Sequence, residues 1–359
     1  MRAPHATRPP ASVVARASHC VRGMKQVSQA IARLTLWALV IPPLLGCASS
    51  APPVPSDNFA NLQVAVEAIS PPQDPNRVAL GRLLFHDPRL SKDRKVSCST
   101  CHVLTKFGID GKAVSSGEQG RQGRRNTPSV FNAATHIAQF WDGRAVDLEA
   151  QARLPLMNPV EMDMPDEKAV VDVLATVSPY LEMFRKAFPD DERPISLKNV
   201  GEAIGAFERG LVTTSRWDKF IAGDHQALTR RERQGLGLFV QRGCITCHTG
   251  AQAGGNSFQK VGTVIPWPNQ SDQGRAEITH FPPDRMVFKV PSLKNIAETA
   301  PYFHDGSTAS LEEAIRLMGH HQLGVDLPKD EIAAMAAWMR SMTGEPDPAY
   351  IAAPRLPPG

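Results

Sequence analysis

Apolar residues along most of the chain recur at the spacing of amphipathic helices. Between residues 166 and 188 they return every three or four positions, although Ser178-Pro179 must interrupt that helix. A second apolar stripe runs from Val200 to Leu211. Alternating patterns typical of strands are scarce. The pattern therefore predicts a mostly α protein.

Three further helices are indicated by their first residues. Thr229-Arg-Arg-Glu232 and Ser310-Leu-Glu-Glu313 both have the pattern of a capping box, in which a hydroxyl and a glutamate satisfy free backbone N–H groups. Pro328 precedes the last helix, which we expect at Ile332 to Met342. Aromatic residues make up only 6% of the chain. With long Pro-rich connections, this composition suggests that a bound prosthetic group completes the cores.

The pattern Cys-x-x-Cys-His occurs twice, and each copy can attach one c-type haem. The two thiols of a copy bind the porphyrin, and the next histidine supplies an imidazole to the iron. A zinc site or structural disulfides are the alternatives, and a single copy would leave more room for them. Two copies indicate a di-haem protein. The haem-binding residues would be Cys98, Cys101, His102, Cys244, Cys247 and His248.

The N-terminal region has the composition of an export signal. A basic segment from Met24 to Arg33 precedes an apolar run over residues 34–45, which is too short and too rich in proline to span a membrane. The run ends in Leu-Leu-Gly-Cys47, similar to a bacterial lipoprotein cleavage box; a buried apolar helix with a chance cysteine is the alternative. The predicted segments are a leader at 1–46, a lipidated Cys47 and a flexible tether at 47–58.

The charge balance changes when the leader is set aside. The whole chain has a net charge of +4, but residues 1–46 hold six basic and no acidic residues. The remainder has 34 basic and 36 acidic residues, a net charge of −2. Nothing in this balance favours binding to nucleic acid. Export also suits the chemistry, because covalent haem attachment of this kind takes place outside the bacterial cytoplasm.

The two motifs are 146 positions apart, which leaves room for one helical domain around each haem. We expect an N-terminal haem domain at 59–211 and a C-terminal haem domain at 212–344. The Pro-rich tail at 345–359 is expected to pack on the first domain.

Longer segments resemble the bacterial di-haem cytochrome c peroxidases and their MauG-type relatives, in order and spacing, from about residue 75 to about 345. The resemblance implies two cytochrome c-like helical domains, each around one covalently bound haem c. It also implies reduction of hydrogen peroxide with electrons from a small periplasmic carrier, either a cytochrome c or a cupredoxin, and a homodimer. The matching segments include Leu80-Gly-Arg-Leu-Leu-Phe-His-Asp-Pro-Arg-Leu90, Gln139-Phe-Trp-Asp-Gly-Arg144, Pro291-Ser-Leu-Lys-Asn-Ile296 and Ala300-Pro-Tyr-Phe-His-Asp-Gly306.

In that family, electrons enter at the C-terminal haem and the N-terminal haem reduces peroxide. The resemblance makes His248 and Met318 the axial ligands of the electron-entry haem, where a thioether raises the reduction potential. Without the resemblance, Met318 would be read as a core methionine. Three nearby histidines are competing ligands: His304, His320 and His321.

The resemblance also assigns residues to the peroxide-reducing haem. Glu161 would move a proton between the two oxygens of peroxide, Gln151 would hydrogen-bond peroxide, and Pro155 would lie beside them. Trp141 would pass electrons between the haems. Taken alone, Glu161 would be a surface residue and Trp141 a core residue.

Three positions match those that bind a calcium ion in the family, partly through backbone carbonyls, which suit a hard cation. They are Asn126, Thr299 and Pro301.

One position departs from the family pattern. Typical members have a histidine as the sixth ligand of the resting N-terminal haem, and counting from His102 places Glu118 there, in a glycine-rich segment that we expect to be mobile. We therefore hypothesise that this haem is open when oxidised and needs no reductive activation. His136 could substitute as a ligand, although we expect it in a helix leading to Trp141.

Two other functions remain open. MauG-type enzymes oxidise residues of a partner protein and have tyrosine in place of the methionine ligand, so Met318 favours the peroxidase. A di-haem electron-transfer protein without catalysis is disfavoured by Glu161 and Gln151.

Overall fold

The computed structural model describes residues 72–358. The predicted leader, the lipidated Cys47 and the tether at 47–58 therefore lie outside the described residues. The helices are α1 (Pro75–His86), α2 (Cys98–Cys101), α3 (Leu148–Met157), α4 (Glu167–Thr176), α5 (Ser178–Ala187), α6 (Leu197–Arg209), α7 (Arg216–Ile221), α8 (Arg230–Gln241), α9 (Ala276–Thr279), α10 (Leu311–Met318), α11 (Lys329–Arg340) and α12 (Pro348–Ile351).

Short 3₁₀ and π turns fill many of the connections, and the strands are few and short. The strands are β1 (Thr214–Ser215), β2 (Phe258–Lys260), β3 (Val287–Lys289) and β4 (Gly344–Glu345). β1 pairs antiparallel with β4, and β2 pairs antiparallel with β3. The prediction of a mostly α fold is confirmed.

The local helix signals in the sequence agree well with the structure. The predicted interruption near Ser178-Pro179 separates α4 from α5, because Val177 is extended and proline then occupies the first turn of α5. The capping box predicted at Thr229 and Glu232 begins α8. The Ser310 hydroxyl accepts the Glu313 N–H at the start of α10.

A glycine allows the closest helix contact in the first half of the described chain, residues 72–211. Helix α1 packs along α6, and a Cβ built on Gly81 would overlap the carbonyl oxygen of Ala203. Only glycine lets the two backbones approach this closely.

The second half, residues 212–344, repeats this arrangement. Helix α8 packs along α11, and a Cβ on Gly235 would overlap the carbonyl oxygen of Ala334. In both halves the glycine helix lies ahead of a Cys-x-x-Cys-His motif in the sequence. The two halves therefore share a packing device that is not evident as a sequence repeat.

The buried apolar side chains form two main clusters that follow these halves. One cluster is drawn from residues 80–211 and the other from residues 217–342. The separation supports a domain boundary near residue 212, which we keep as a proposal. No helix within residues 72–358 is both long and apolar enough to cross a membrane.

The C-terminal tail lies against the first half. Arg82 of α1 donates hydrogen bonds to the carbonyl oxygens of Ala349 and Ala352. The Tyr350 ring stacks on Phe207 of α6 at 5.2 Å between ring centres, and its hydroxyl donates to the Phe207 carbonyl oxygen at 2.8 Å. The tail follows β4 directly, so these contacts connect the β1–β4 strand pair to helices α1 and α6 of the first half.

Replacing Gly81 by alanine is expected to destabilise the protein, although alanine usually favours a helix. The new methyl group would force α1 away from α6, and overpacking of this kind costs about 1–3 kcal/mol. Chemical denaturation of the purified protein measures the loss. Gly123→Ala is the control, because its Cβ would meet no atom closer than 4.0 Å and its backbone is not left-handed. Equal stability of the two variants would contradict the close-contact argument.

Candidate functional site

A cavity of about 900 Å³ is lined by both Cys-x-x-Cys-His motifs. All the site residues predicted from the sequence within residues 72–358 contribute to its wall. They are Cys98, Cys101, His102, Asn126, Trp141, Gln151, Pro155, Glu161, Cys244, Cys247, His248, Thr299, Pro301 and Met318. Residues up to 220 positions apart in the chain are thereby brought to one site.

The two motif histidines are oriented in the same way. The Nδ1 atom of His102 lies 3.1 Å from the carbonyl oxygen of Gly108, and that of His248 lies 3.0 Å from the carbonyl oxygen of Ala253. A carbonyl is an acceptor, so Nδ1 must carry the proton and Nε2 presents its lone pair. Burial lowers the pKa of both imidazoles, which favours the neutral form that binds a metal.

The chemistry of the four motif cysteines also fits haem attachment. All four are free thiols, so the disulfide alternative receives no support. Burial raises the pKa of each thiol, to about 11 for Cys244. The described residues contain no group of three or more His, Cys, Asp or Glu side chains placed to hold a metal ion, so the zinc alternative is not supported either. Paired thiols beside an oriented imidazole suit a covalently held porphyrin.

Met318 is the last residue of α10 and lies in the cavity wall. Of its competitors, His320 and His321 are absent from the wall; His321 instead bonds through Nδ1 to the Ile265 carbonyl oxygen at 2.9 Å. His304 does line the cavity, where its ring stacks on Phe288 at 4.2 Å between ring centres.

Gln151 and Pro155 lie one turn apart on α3 and share a face, and Glu161 follows in the next loop. The Asn158 amide donates to Glu161 Oε1 at 2.7 Å and fixes its carboxyl group. Burial raises the pKa of Glu161 above its ordinary value, although Arg144 and the bond from Asn158 oppose the shift. This residue can therefore exchange a proton more readily than an exposed glutamate.

The expectation that Glu118 lies in a mobile segment is wrong. Glu118 is 1% exposed and occupies a 3₁₀ turn, where its Oε1 accepts the Asp93 N–H at 3.1 Å. Its own N–H donates to the Glu161 carbonyl oxygen at 2.8 Å. Glu118 does not contribute to the cavity wall, whereas Gly117 does. These bonds tie the Glu118 segment to the Glu161 loop. The Glu118 side chain lies outside the cavity wall.

Trp141 is held by bonds at both its side chain and its backbone. Its indole N–H donates to the Asn126 carbonyl oxygen at 2.8 Å, and its own carbonyl oxygen accepts the Lys289 N–H at 2.7 Å. The Asn126 amide group donates to the carbonyl oxygens of Lys112 and Ala113, which turns its amide oxygen away from them. One residue thus connects the tryptophan position to the predicted calcium position.

The expectation that His136 lies in a helix leading to Trp141 is also wrong. His136 is extended and follows the 3₁₀ turn Ala133–Thr135, because the chain turns there to bring its ring against Gly255. Its Nδ1 lies 3.2 Å from Lys289 Nζ.

Among the buried charged residues of the cavity wall that sequence reasoning did not assign are Lys289 and Glu208. Glu208 lies on α6, where burial, aided by Glu149, raises its pKa to about 8. Each lies in a segment that matches no recognisable motif, so the sequence alone does not single it out. Only their burial distinguishes them.

Comparisons with known proteins find relatives over most of the chain. Residues 75–226 match the family model described as di-haem cytochrome c peroxidase. The cytochrome c551 peroxidase of Nitrosomonas europaea is 42% identical over 83% of this chain and 90% of its own. That of Pseudomonas aeruginosa is 40% identical over 74% of this chain and 78% of its own.

A solved structure agrees in fold. The crystal structure of a MauG-like protein associated with microbial copper homeostasis is 30% identical, with a TM-score of 0.69, over 89% of this chain and 98% of that one. The predicted family is confirmed: the chain belongs to the di-haem cytochrome c peroxidase and MauG family of haem enzymes.

Proposed function

We propose that the protein is a periplasmic di-haem cytochrome c peroxidase that reduces hydrogen peroxide to water. The observation that carries the proposal is the convergence of both haem-attachment motifs with Gln151 and Glu161 on one cavity. Two haem c groups, held by the motif cysteines, supply the redox chemistry when bound. The protein residues attach and orient these groups, bind peroxide and move its protons.

His102 and His248 would each offer Nε2 to a haem iron, since a backbone carbonyl engages Nδ1. Met318 would supply the second protein ligand of the C-terminal haem. A thioether ligand favours the reduced state and suits the position where a carrier delivers electrons. Trp141, fixed at its indole N–H by Asn126, is assigned to electron transfer between the haems.

Glu161 is assigned the proton transfer. As a carboxylate it would take the proton from one oxygen of peroxide and return it to the other, which leaves as water as the O–O bond breaks. The remaining oxygen would become a second water with two electrons from the carrier and two protons. Asn158 keeps the carboxyl group in one orientation through its bond to Oε1. Gln151, on the neighbouring face of α3, is assigned to hydrogen-bond the peroxide.

The orientation of Glu118 supports a resting N-terminal haem that is open to peroxide. Its carboxylate bonds to the Asp93 N–H, outside the cavity wall, and cannot occupy the sixth ligand position from there. His136, the other candidate, lines the cavity, but its Nδ1 accepts from the Lys289 ammonium. Its Nε2 therefore carries the ring proton and has no lone pair to offer an iron. We therefore assign no reductive activation step to this enzyme.

The remaining assignments rest on the sequence. They are a leader cleaved before a lipidated Cys47, attachment to the outer membrane by analogy, a homodimer, and a cytochrome c or cupredoxin as electron donor.

A MauG-like reaction on a partner protein is the second candidate function. The lack of a distal histidine at Glu118 favours it, and Met318 in the cavity wall favours the peroxidase. Consumption of peroxide with a reduced small carrier, without a partner protein, distinguishes the two. Failure to oxidise any reduced cytochrome c or cupredoxin would contradict the peroxidase.

Glu161→Gln is expected to lower kcat by about 10²- to 10⁴-fold, because the amide cannot shuttle the proton. The wild-type rate should fall as the pH drops through the raised pKa of Glu161, at a higher pH than an ordinary glutamate would give. This acidic limb should vanish in the variant. Stopped-flow kinetics across pH measures both effects.

Glu277→Gln is the matched control, because Glu277 also lines the cavity but is paired with Arg124. A similar loss in both variants would refute a specific role for Glu161.

The oxidised enzyme is expected to show one high-spin and one low-spin haem and to react with peroxide without prior reduction. The reason is that Glu118 faces Asp93 rather than the cavity. Absorption and EPR spectra before and after one equivalent of peroxide measure this. Two low-spin haems that ignore peroxide until one electron is added would overturn the open-site assignment.

Calcium removal is expected to weaken communication between the haems. We assign the ion to Asn126, Thr299 and Pro301, and the Asn126 carbonyl also holds the Trp141 indole. Dialysis against a calcium chelator should lower the activity, and added calcium should restore it. Asn126→Ala should respond to neither treatment. A chelator-treated wild-type enzyme of full activity would count against the site.

A further inference from the structure

Two lysines of the cavity wall, Lys289 and Lys294, are equally buried but differ in their partners. Each is 7% exposed. Lys294 forms an ion pair with the carboxylate of Asp218. Lys289 has no carboxylate within salt-bridge distance in the part of the chain that the structure describes. Within the described residues, Lys289 therefore carries a buried charge without a matching anion.

The contacts of Lys289 account for part of its hydrogen-bonding capacity. Its Nζ donates to the Ala138 carbonyl oxygen at 2.8 Å and lies 3.2 Å from His136 Nδ1. An ammonium group carries three N–H donors, so one remains for a further acceptor. Both partners are neutral, and neutral acceptors compensate a buried charge poorly. Burial lowers the pKa of Lys289 to about 8, although Asp142 opposes the shift.

His136 presents a second unused donor beside this lysine. Because its Nδ1 faces an ammonium group, that nitrogen must be the acceptor, and the ring proton then lies on Nε2. The Nε2 atom is buried and has no hydrogen-bond partner among residues 72–358. Packing of the ring against Gly255, where a Cβ would overlap it, fixes this orientation. Unpaired buried donors are costly unless a ligand satisfies them.

The position of the pair identifies the acceptor. Both residues line the cavity shared by the two Cys-x-x-Cys-His motifs, and the Lys289 backbone N–H is bonded to the Trp141 carbonyl oxygen. A bound haem c brings two propionate carboxylates into such a cavity. A carboxylate is the anion that a buried ammonium with a free N–H donor can bind. The His136 Nε2–H points to the other side of its ring from Lys289 and does not share that carboxylate.

We propose that the Lys289 ammonium binds a haem propionate next to Trp141, with His136 Nδ1 and the Ala138 carbonyl oxygen orienting it. The site supplies a positive charge and one N–H donor to the carboxylate. It rests on the proposed function only in requiring that haem c is attached to the motifs. Its positive charge close to a haem favours the reduced state, so the site also raises the potential of that haem.

Lys289→Met in the di-haem protein tests the proposal. The variant should lower the midpoint potential of one haem in a spectroelectrochemical titration. The propionate bending band of that haem in the resonance Raman spectrum should also shift. Lys289→Arg should keep the midpoint potential and the propionate band near their wild-type values, because arginine retains the positive charge. Neither measurement uses peroxide or an electron donor, so an inactive peroxidase would still answer the question.

The matched control is the double variant Lys294→Met with Asp218→Asn, which removes an equally buried lysine together with its counter-ion. Its potentials and propionate bands should match wild type. If Lys289→Met leaves both potentials and both bands unchanged, the proposal is overturned. Should that variant fail to retain haem, His136→Phe decides, because an unshifted propionate band there would refute the site.

Discussion

The site depends on two hydrogen bonds from imidazole to backbone carbonyl. Gly108 accepts the bond from His102 and Ala253 accepts the bond from His248, and both acceptor residues have left-handed backbones, with φ of 74° and 46°. Gly108 must be glycine, since a Cβ would crowd Val130. These carbonyls fix the direction of each Nε2, the atom that would bind a haem iron. The residues assigned to peroxide would act relative to that direction.

In and around the cavity, carboxyl groups fall into two kinds according to their surroundings. Burial raises the pKa of Glu161 above its ordinary value and that of Glu208 to about 8, which favours holding a proton at a higher pH than an exposed glutamate would. Burial also acts on Asp272, but its bonds from Arg125 outweigh it and keep the pKa of that carboxyl below its usual value. Arg125 thereby links the two halves through a fixed ion pair. A carboxyl group can therefore exchange protons or form a fixed ion pair, depending on its surroundings.

The sequence predicted the helices and the haem motifs because those signals are local. The capping box at Thr229 and the N-cap at Ser310 depend on residues three positions apart, and a Cys-x-x-Cys-His motif depends on five. At Ser310 the predicted box is only half formed, because the Glu313 carboxylate pairs with Arg316 instead. Burial is not local. Glu118 was expected in a mobile segment because glycines surround it, yet the chain fastens it under the Glu161 loop. The unpaired charge of Lys289 likewise becomes visible only when the distant His136 is placed beside it.

The C-terminal tail sets the order in which the molecule can be completed. Tyr350 stacks on Phe207 of α6, and Arg82 of α1 binds the carbonyl of Ala349, so residues near the end of the chain cover helices near its beginning. A chain emerging from a ribosome or a translocase cannot form these contacts until almost all of it has emerged. Helices α1 and α6 of the first half therefore stay incompletely covered until the second half and the tail have emerged.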